Sequence, residues 1–170
     1  MSTLPIVNLR AMEPEDLDML YHLENDRLLW DIGTTNVPYS RYVLHDYIAH
    51  SSGDIYTDKE VRLIIEDGQR QTVGIVDITS FDPKNLRAEV GIVIAAPYRR
   101  QGYARAALNA IHDYACSTLH LHQLYAIISS GNEASLALFT QMGYTISGLL
   151  SDWLLLADGY QPAVIMQRVF

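Results

Sequence analysis

The sequence has one cysteine, Cys116, so an internal disulfide is excluded. No apolar run approaches the roughly 20 residues that a membrane-spanning helix needs, and residues 1–17 meet charge too early for the apolar region of a signal peptide. Lysines and arginines number 12 against 20 acids, and the resulting charge of -8 repels a long phosphate backbone. We therefore expect a cytoplasmic, reduced protein whose partners include neither nucleic acid nor a membrane.

What the sequence does contain is enough apolar material for one core. With 170 residues, 49% of them hydrophobic, residues 1–170 are expected to form a single domain. A strand from Pro5 is followed by two amphipathic helices, the first over Leu17–Leu28 and the second capped by Ser40. The polar segment SSGDIYTDKE that follows predicts a loop. Turn chemistry (DGQR and DPKN) separates three strand-like segments, which predict an antiparallel meander. These are Val61–Asp67, Gln71–Phe81 and Arg87–Ala96.

The second half of the chain alternates helices and strands. A helix over Gly102–Leu119 precedes a strand, and Asn132 and Gly143 enclose a second helix as N-cap and C-cap. An Asp158-Gly159 turn then predicts a closing hairpin. The complete order is β-α-α-β-β-β-α-β-α-β-β, which predicts an α/β fold of the α+β type.

The segment GIVIAAPYRRQGYARAAL, residues Gly91–Leu108, indicates a phosphate site. A strand leads through a glycine-bearing turn into a helix, whose free N–H groups and dipole attract anions. Gly102 is expected to let the backbone approach a ligand with no side chain between them, and Arg99 and Arg100 add positive charge. The spacing is neither that of a Walker loop nor that of a dinucleotide fingerprint. The alternative interpretation is that Gly102 relieves a tight turn and that both arginines are solvated.

Two motifs together resemble the GNAT superfamily of N-acetyltransferases. The first is Arg99-Arg100-Gln101-Gly102-Tyr103-Ala104, which is similar to the family's motif A, and the second is NEASLALFTQMGY, which begins at Asn132. The resemblance covers essentially the whole chain. The opening LRAMEPEDLDML is similar to the branch that contains spermidine and ribosomal-protein alanine acetyltransferases.

The resemblance implies a mostly antiparallel sheet, splayed where acetyl-CoA, the cosubstrate, is held without a metal. The N–H group of Ile94 would polarise the thioester carbonyl, and Glu89 would accept the amine proton. Glu89 as a solvent-facing residue, and Asn132 and Ser135 as simple capping residues, are the alternatives. The cofactor-binding residues implied are Ile92, Val93, Ile94, Arg99, Arg100, Gln101, Gly102, Tyr103, Ala104, Asn132, Ser135 and Phe139.

Phe139 departs from the family pattern. Many relatives have a tyrosine here whose hydroxyl protonates the departing thiolate, so the usual general acid is missing, and a non-catalytic acyl-CoA-binding module is an alternative. Tyr144, another tyrosine or water are the alternative sources of this proton, but Tyr144, like Cys116, is interpreted as a core residue. His120 and His122 have no third ligand at a suitable spacing, so no metal site is expected.

The acceptor is expected to be a primary amine. Residues 28–52 contain only two acids, Asp31 and Asp46, beside Arg41 and several tyrosines. Such a segment holds a polycation poorly, which favours a small amino compound or a peptide N-terminus, with spermidine or another polyamine as the alternative. Because relatives often pair through their C-terminal strands, a homodimer or a higher homo-oligomer is also expected.

Overall fold

The structure is a computed structural model that describes residues 3–30 and 37–170, with the backbone alone for Leu28 and Trp30. Asp31, one of the two acids noted in residues 28–52, lies outside the described residues. The strands are β1 (Val7–Ala11), β2 (Val61–Asp67), β3 (Thr72–Asp82), β4 (Arg87–Ile94), β5 (Gln123–Ser129), β6 (Thr145–Leu156) and β7 (Gly159–Val169). The helices are α1 (Leu17–Glu24), α2 (Arg27–Trp30), α3 (Arg41–His50), α4 (Ile55–Asp58), α5 (Tyr103–Ser117) and α6 (Glu133–Gln141).

The seven strands form one sheet in the order β1-β2-β3-β4-β5-β7-β6. Every neighbouring pair is antiparallel except β4 and β5, which run parallel. The expected mixed, mostly antiparallel sheet is therefore confirmed, as is the β2-β3-β4 meander. Helix α5 makes the connection that a parallel pair requires.

Local signals set three of the helix ends. The hydroxyl of Ser40 accepts a hydrogen bond from the N–H of Val43 (3.1 Å), and the side chain of Asn132 accepts from the N–H of Ser135 (3.1 Å). After α6, Gly143 has a φ of 84°, the left-handed conformation that glycine adopts without strain. These three caps agree with the sequence predictions.

Two helical predictions need correction. The single helix expected over residues 17–28 is interrupted between α1 and α2, because the amide of Asn25 bonds the carbonyl of Tyr21 and both backbone polar groups of Tyr39. The segment before β2, expected to be a loop, contains the short helix α4. Its cap is Asp54, whose carboxylate accepts from the N–H of Tyr56.

Apolar side chains are buried on both faces of the sheet. One face carries the main core, in which Val76, Ile78 and Val90 join Leu108 and Ile111 of α5. Strand alternation places Ile64 and Ile75 on the opposite face, and both are buried, as are Leu20 of α1 and Leu44 of α3.

Cys116 is exposed, so its interpretation as a core residue is wrong. The buried positions of α5 include Leu108, Ile111 and Ala115. Cys116 comes one position after Ala115, and a rotation of about 100° per residue turns its thiol away from this stripe.

Candidate functional site

Strands β4 and β5 separate part-way along their length. Their parallel pairing has its last partners at Glu89 and Tyr125, whereas β4 continues to Ile94 paired with β3 alone. The N–H of Ala95 donates to the carbonyl of Val73 (2.9 Å), on the β3 side. Since backbone groups alternate along a strand, the N–H groups of Ile92 and Ile94 face the gap, whereas that of Val93 faces β3. Of these three predicted residues, two can offer an N–H group to a ligand in the gap.

The N-terminus of α5 lies just beyond this gap. Within the described residues, no hydrogen bond is made by the backbone N–H groups from Arg100 to Ala104. Five successive donors at the positive end of a 15-residue helix form a suitable anion-binding surface.

Gly102 is required by the protein's own packing. Its φ is 91°, and a Cβ atom there would lie 3.0 Å from Cδ of Pro5 and 3.5 Å from Leu4. A side chain would therefore point towards the N-terminal segment, which corrects the expectation that it would point towards a ligand. The glycine still matters for the site because it allows the turn that directs the neighbouring N–H groups outwards.

Three side chains of the motif differ in what they do. Nε of Arg99 donates to the carbonyl of Ile94 (2.8 Å), and the amide of Gln101 donates to the carbonyl of Pro97 (2.8 Å). Both side chains therefore brace the loop between β4 and α5. Arg100 is exposed and lines the cleft described next.

The cleft brings the two sequence motifs together. It has a volume of about 580 Å³ and is lined by Arg100, by Gly131 and Asn132, and by residues of α6. Ser135 is half-buried in the first turn of α6. A long, anionic ligand can therefore contact Arg100 and the start of α6 at once.

Phe139 lies below this surface, with only 3% of its area exposed. Its ring meets that of Tyr144 edge-on, with 4.9 Å between the ring centroids. Tyr144 is a core residue, as predicted, and burial raises its pKa further above the ordinary tyrosine value. Its hydroxyl bonds Nε2 of His112 (3.0 Å) and is thereby directed into the interior.

Glu89 lies at the last paired position before the gap. Its neighbours Ala88 and Val90 point into the main core, so strand alternation directs the Glu89 side chain to the other face of the sheet. Burial raises the pKa of this carboxyl group. A carboxylate with a raised pKa is a stronger base than an exposed one.

The face that carries Glu89 also has a small charged cavity of about 20 Å³, room for one water-sized group, which the sequence did not reveal. Its lining comes from α3, β2 and β3 and consists of Tyr47, Glu60, Val61, Arg62, Asp77 and Thr79. Arg62 binds both carboxylate oxygens of Asp77, at 2.8 and 2.9 Å, and also contacts Glu24. The period-2 alternation of β2 and β3 was the available signal, because it places Arg62 and Asp77 on the face opposite the core.

Two further properties concern only the part of the chain that the structure describes. No group of three or more potential metal ligands occurs in residues 3–30 and 37–170. None of the described helices is both long and apolar enough to cross a membrane.

Comparison with known proteins identifies the family. Residues 7–145 match the model of the acetyltransferase (GNAT) domain. The chain belongs to the GNAT acetyltransferase family. It is an acetyl-CoA-dependent N-acetyltransferase, and its splayed strands and α5 N-terminus are the features of the GNAT fold expected from the sequence.

The similar proteins include spermidine acetyltransferases. The spermidine N(1)-acetyltransferase of Escherichia coli (strain K12) is 29% identical over 163 residues, which cover 94% of this chain and 84% of the relative. A crystal structure of spermidine N-acetyltransferase from Vibrio cholerae in complex with CoA and spermine gives a TM-score of 0.87 at 27% identity, covering 96% of this chain and 95% of that one. A dodecameric structure of the Vibrio cholerae enzyme gives 0.82, also at 27% identity, covering 96% and 93%.

Proposed function

We propose that this GNAT enzyme acetylates a primary amine of an aliphatic di- or polyamine of the spermidine class. The observation that carries the proposal is the charged cavity, which lies on the same face of the sheet as Glu89. Spermidine acetyltransferases that align over nearly the whole chain support the same acceptor class.

Acetyl-CoA would be held by the two motifs and by the gap between β4 and β5. The N–H groups from Arg100 to Ala104 suit the pyrophosphate, and Arg100 and Asn132 both line the cleft. The N–H groups of Ile92 and Ile94 suit the pantetheine arm and the thioester oxygen. Bound acetyl-CoA supplies an activated acetyl group, so the proposed reaction needs no metal.

The proposed transfer is direct. The neutral amine forms the new C–N bond at the thioester carbonyl, the C–S bond breaks, and the amine proton passes towards Glu89. Three to five residues separate Glu89 from Ile92 and Ile94, roughly 10–16 Å along the strand, so a chain of several water molecules would relay the proton to Glu89. A thiol with a pKa near 8.5 is a fairly good leaving group, so turnover does not require the tyrosine hydroxyl that Phe139 lacks.

A mono-amine acceptor is the second candidate, and Arg62 is the observation that favours it. This guanidinium already neutralises Asp77 inside the cavity, so the site has less negative charge than its carboxylates suggest. A small amino compound or a peptide N-terminus, as expected from the sequence, would then bind as well as a polyamine.

The two acceptors are distinguished by steady-state kinetics with spermidine, 1-aminobutane and a short peptide. We expect kcat/KM for spermidine to exceed that for either mono-amine by about tenfold, equivalent to one charge-assisted contact of about 1.4 kcal/mol. Equal values would favour the mono-amine candidate. Acetyl-CoA binding without thiol release in the presence of any of these amines would instead support a non-catalytic acyl-CoA-binding module.

We also propose that the protein forms a homo-oligomer in a reducing compartment. Long apolar side chains are exposed along the edge strand β6, including Leu149 and Leu155 at 65% and 69%, and a homo-oligomer would cover them. The dodecameric relative supports this assembly. The exposed, unpaired thiol of Cys116 suits a reducing compartment such as the cytoplasm.

A further inference from the structure

Arg62 is a cation fixed inside the charged cavity. Its side chain is 20% exposed and is held by Asp77 and Glu24, and it stacks over the ring of Tyr47 at 5.6 Å. Burial opposes its charge, but the two carboxylates outweigh this effect and raise its pKa above the ordinary arginine value. Arg62 therefore stays charged whenever the enzyme is active.

Glu60 has a different environment in the same cavity. Its contact is a long one, 3.4 Å from the hydroxyl of Tyr47. Burial raises the pKa of Tyr47 to about 12, so this neighbour carries no charge at neutral pH. Within the described residues no cation forms an ion pair with Glu60, whereas Asp77 is paired through both oxygens.

The strand register places Glu60 in line with Glu89. Val61 pairs with Ile78, so Glu60 lies beside Thr79, and Thr79 pairs with Glu89. Two strand spacings separate Glu60 from Glu89, roughly 10 Å. An aliphatic amine can lie across this distance, with its reacting nitrogen beyond Glu89 towards the gap between β4 and β5 and a second nitrogen near Glu60.

We propose that Arg62 determines how many charges the acceptor site recognises. By pairing with both oxygens of Asp77 it leaves Glu60, among the described residues that line the cavity, as the carboxylate without an ion pair and so available to a second ammonium group. The second ammonium group of a diamine therefore pairs with Glu60, and further ammonium groups raise kcat/KM little. This inference rests on the proposed amine acetylation. It adds that Arg62 limits the number of ammonium groups that the acceptor site recognises.

The test uses four linear amines with one to four nitrogens: 1-aminobutane, 1,4-diaminobutane, spermidine and spermine. For the unmodified enzyme at physiological salt, we expect kcat/KM to rise about tenfold from one nitrogen to two and by less than about threefold for each further nitrogen. An even rise through all four amines would overturn the proposal.

Three variants assign the effect to residues. Glu60→Gln should remove the step between the mono-amine and the diamine. Arg62→Gln should free Asp77 and raise the ratio of spermine to diamine kcat/KM about tenfold, whereas Arg62→Lys should keep the ratio of the unmodified enzyme. A merely structural role of Arg62 would lower all four values together and leave the ratio unchanged.

Controls separate the possible failures. Asp113→Asn removes one exposed charge from α5, on the other side of the sheet, and should leave every ratio unchanged. If Arg62→Gln does not fold, Glu60→Gln still decides, because an unchanged diamine step in that variant overturns the proposal. If no amine is acetylated although CoA binds, the proposed function fails as well. Turnover that rises from the diamine to spermidine without a step between the mono-amine and the diamine overturns this inference alone, whereas equal kcat/KM for all four amines also overturns the proposed polyamine acceptor.

Discussion

Glu89 is the last paired residue of β4 before the gap, it is half-buried, and it is the proposed proton acceptor. Burial raises the pKa of its carboxyl group, and a base works only while it is deprotonated. We therefore predict that kcat/KM falls as the pH drops through this raised pKa, which lies above the ordinary value of 4.5. In Glu89→Gln, kcat should fall by a factor of about ten to a hundred, with acetyl-CoA affinity retained. The pH profile of kcat/KM and calorimetry with CoA measure the two effects.

Glu133→Gln is the matched control for this test. It removes an exposed carboxylate from the first turn of α6, within the CoA cleft, so it alters CoA affinity rather than the acid limb of the profile. A Glu89→Gln enzyme with unchanged kcat would show that water alone accepts the amine proton.

Gly102 gives a second prediction for a single residue, and here backbone and packing effects combine. In Gly102→Val, a β-branched residue would have to adopt a φ of 91° with its Cβ 3.0 Å from Cδ of Pro5. We expect a loss of about 1–3 kcal/mol in stability and CoA binding weakened at least tenfold, because the shifted turn misdirects the N–H groups of α5. Thermal unfolding and calorimetry with CoA are the measurements.

A second substitution separates crowding from backbone strain at this position. Combining Gly102→Ala with Pro5→Ala removes the ring atoms that the new Cβ meets, and it should recover part of the stability lost in Gly102→Ala alone. Normal CoA affinity in a folded Gly102→Val protein would show that this turn does not contribute to CoA binding.

At the scale of elements, a buried polar network joins the two helices whose N-termini form the CoA cleft. His112 of α5 bonds Tyr144, which follows α6, and its Nδ1 lies 2.7 Å from Nη1 of Arg168. Arg168 also donates to the carbonyl of Met142 at the end of α6 (2.7 Å). Because a guanidinium only donates, Nδ1 must accept and Nε2 must carry the proton of the neutral ring.

This network predicts a loss of stability in acid. Burial and the nearby Arg168 lower the pKa of His112 from 6.5 to about 4. The unfolded chain binds this proton first, so stability is complete above pH 6.5 and falls as the pH drops towards 4. We expect a contribution of about 2 kcal/mol after allowance for solvent screening. Urea unfolding of the unmodified protein and of His112→Gln, between pH 4 and 7.5, should show a smaller pH dependence in the variant. Parallel curves would contradict the prediction.

The elements that the sequence predicted well depend on local chemistry. Ser40, Asn132 and Gly143 act within one helical turn, so their capping roles can be seen without a fold. The interruption after α1 depends on Asn25 contacting Tyr39, 14 residues away, and local periodicity carries no such information. The Arg62 cavity was missed for the same reason, since a search of residues 28–52 cannot include β2 and β3. The direction of a Gly102 side chain likewise depends on Pro5, which is distant in sequence.

At the scale of the whole molecule, the two edges of the sheet differ. The edge strand β1 has five residues, whereas β6 has 12, with register shifts that bend it. Four large apolar side chains on β6 are more than half exposed: Ile146, Leu149, Trp153 and Leu155. A long apolar edge normally attracts another chain, and β6 is therefore the expected interface of the proposed homo-oligomer.

Charge placed on this edge should dissociate the assembly. We predict that Leu149→Lys combined with Leu155→Lys lowers the solution mass measured by light scattering, because ammonium groups at a buried interface lose hydration without gaining partners. CoA affinity should be retained, since the CoA cleft is lined by Arg100, residues 131–132 and α6. Ile6→Lys is the matched control: Ile6 is 80% exposed and precedes β1 at the opposite edge, and its substitution should leave the mass unchanged. A double variant with the mass of the unmodified protein would place the interface elsewhere, and an unmodified protein that is already monomeric would exclude the assembly itself.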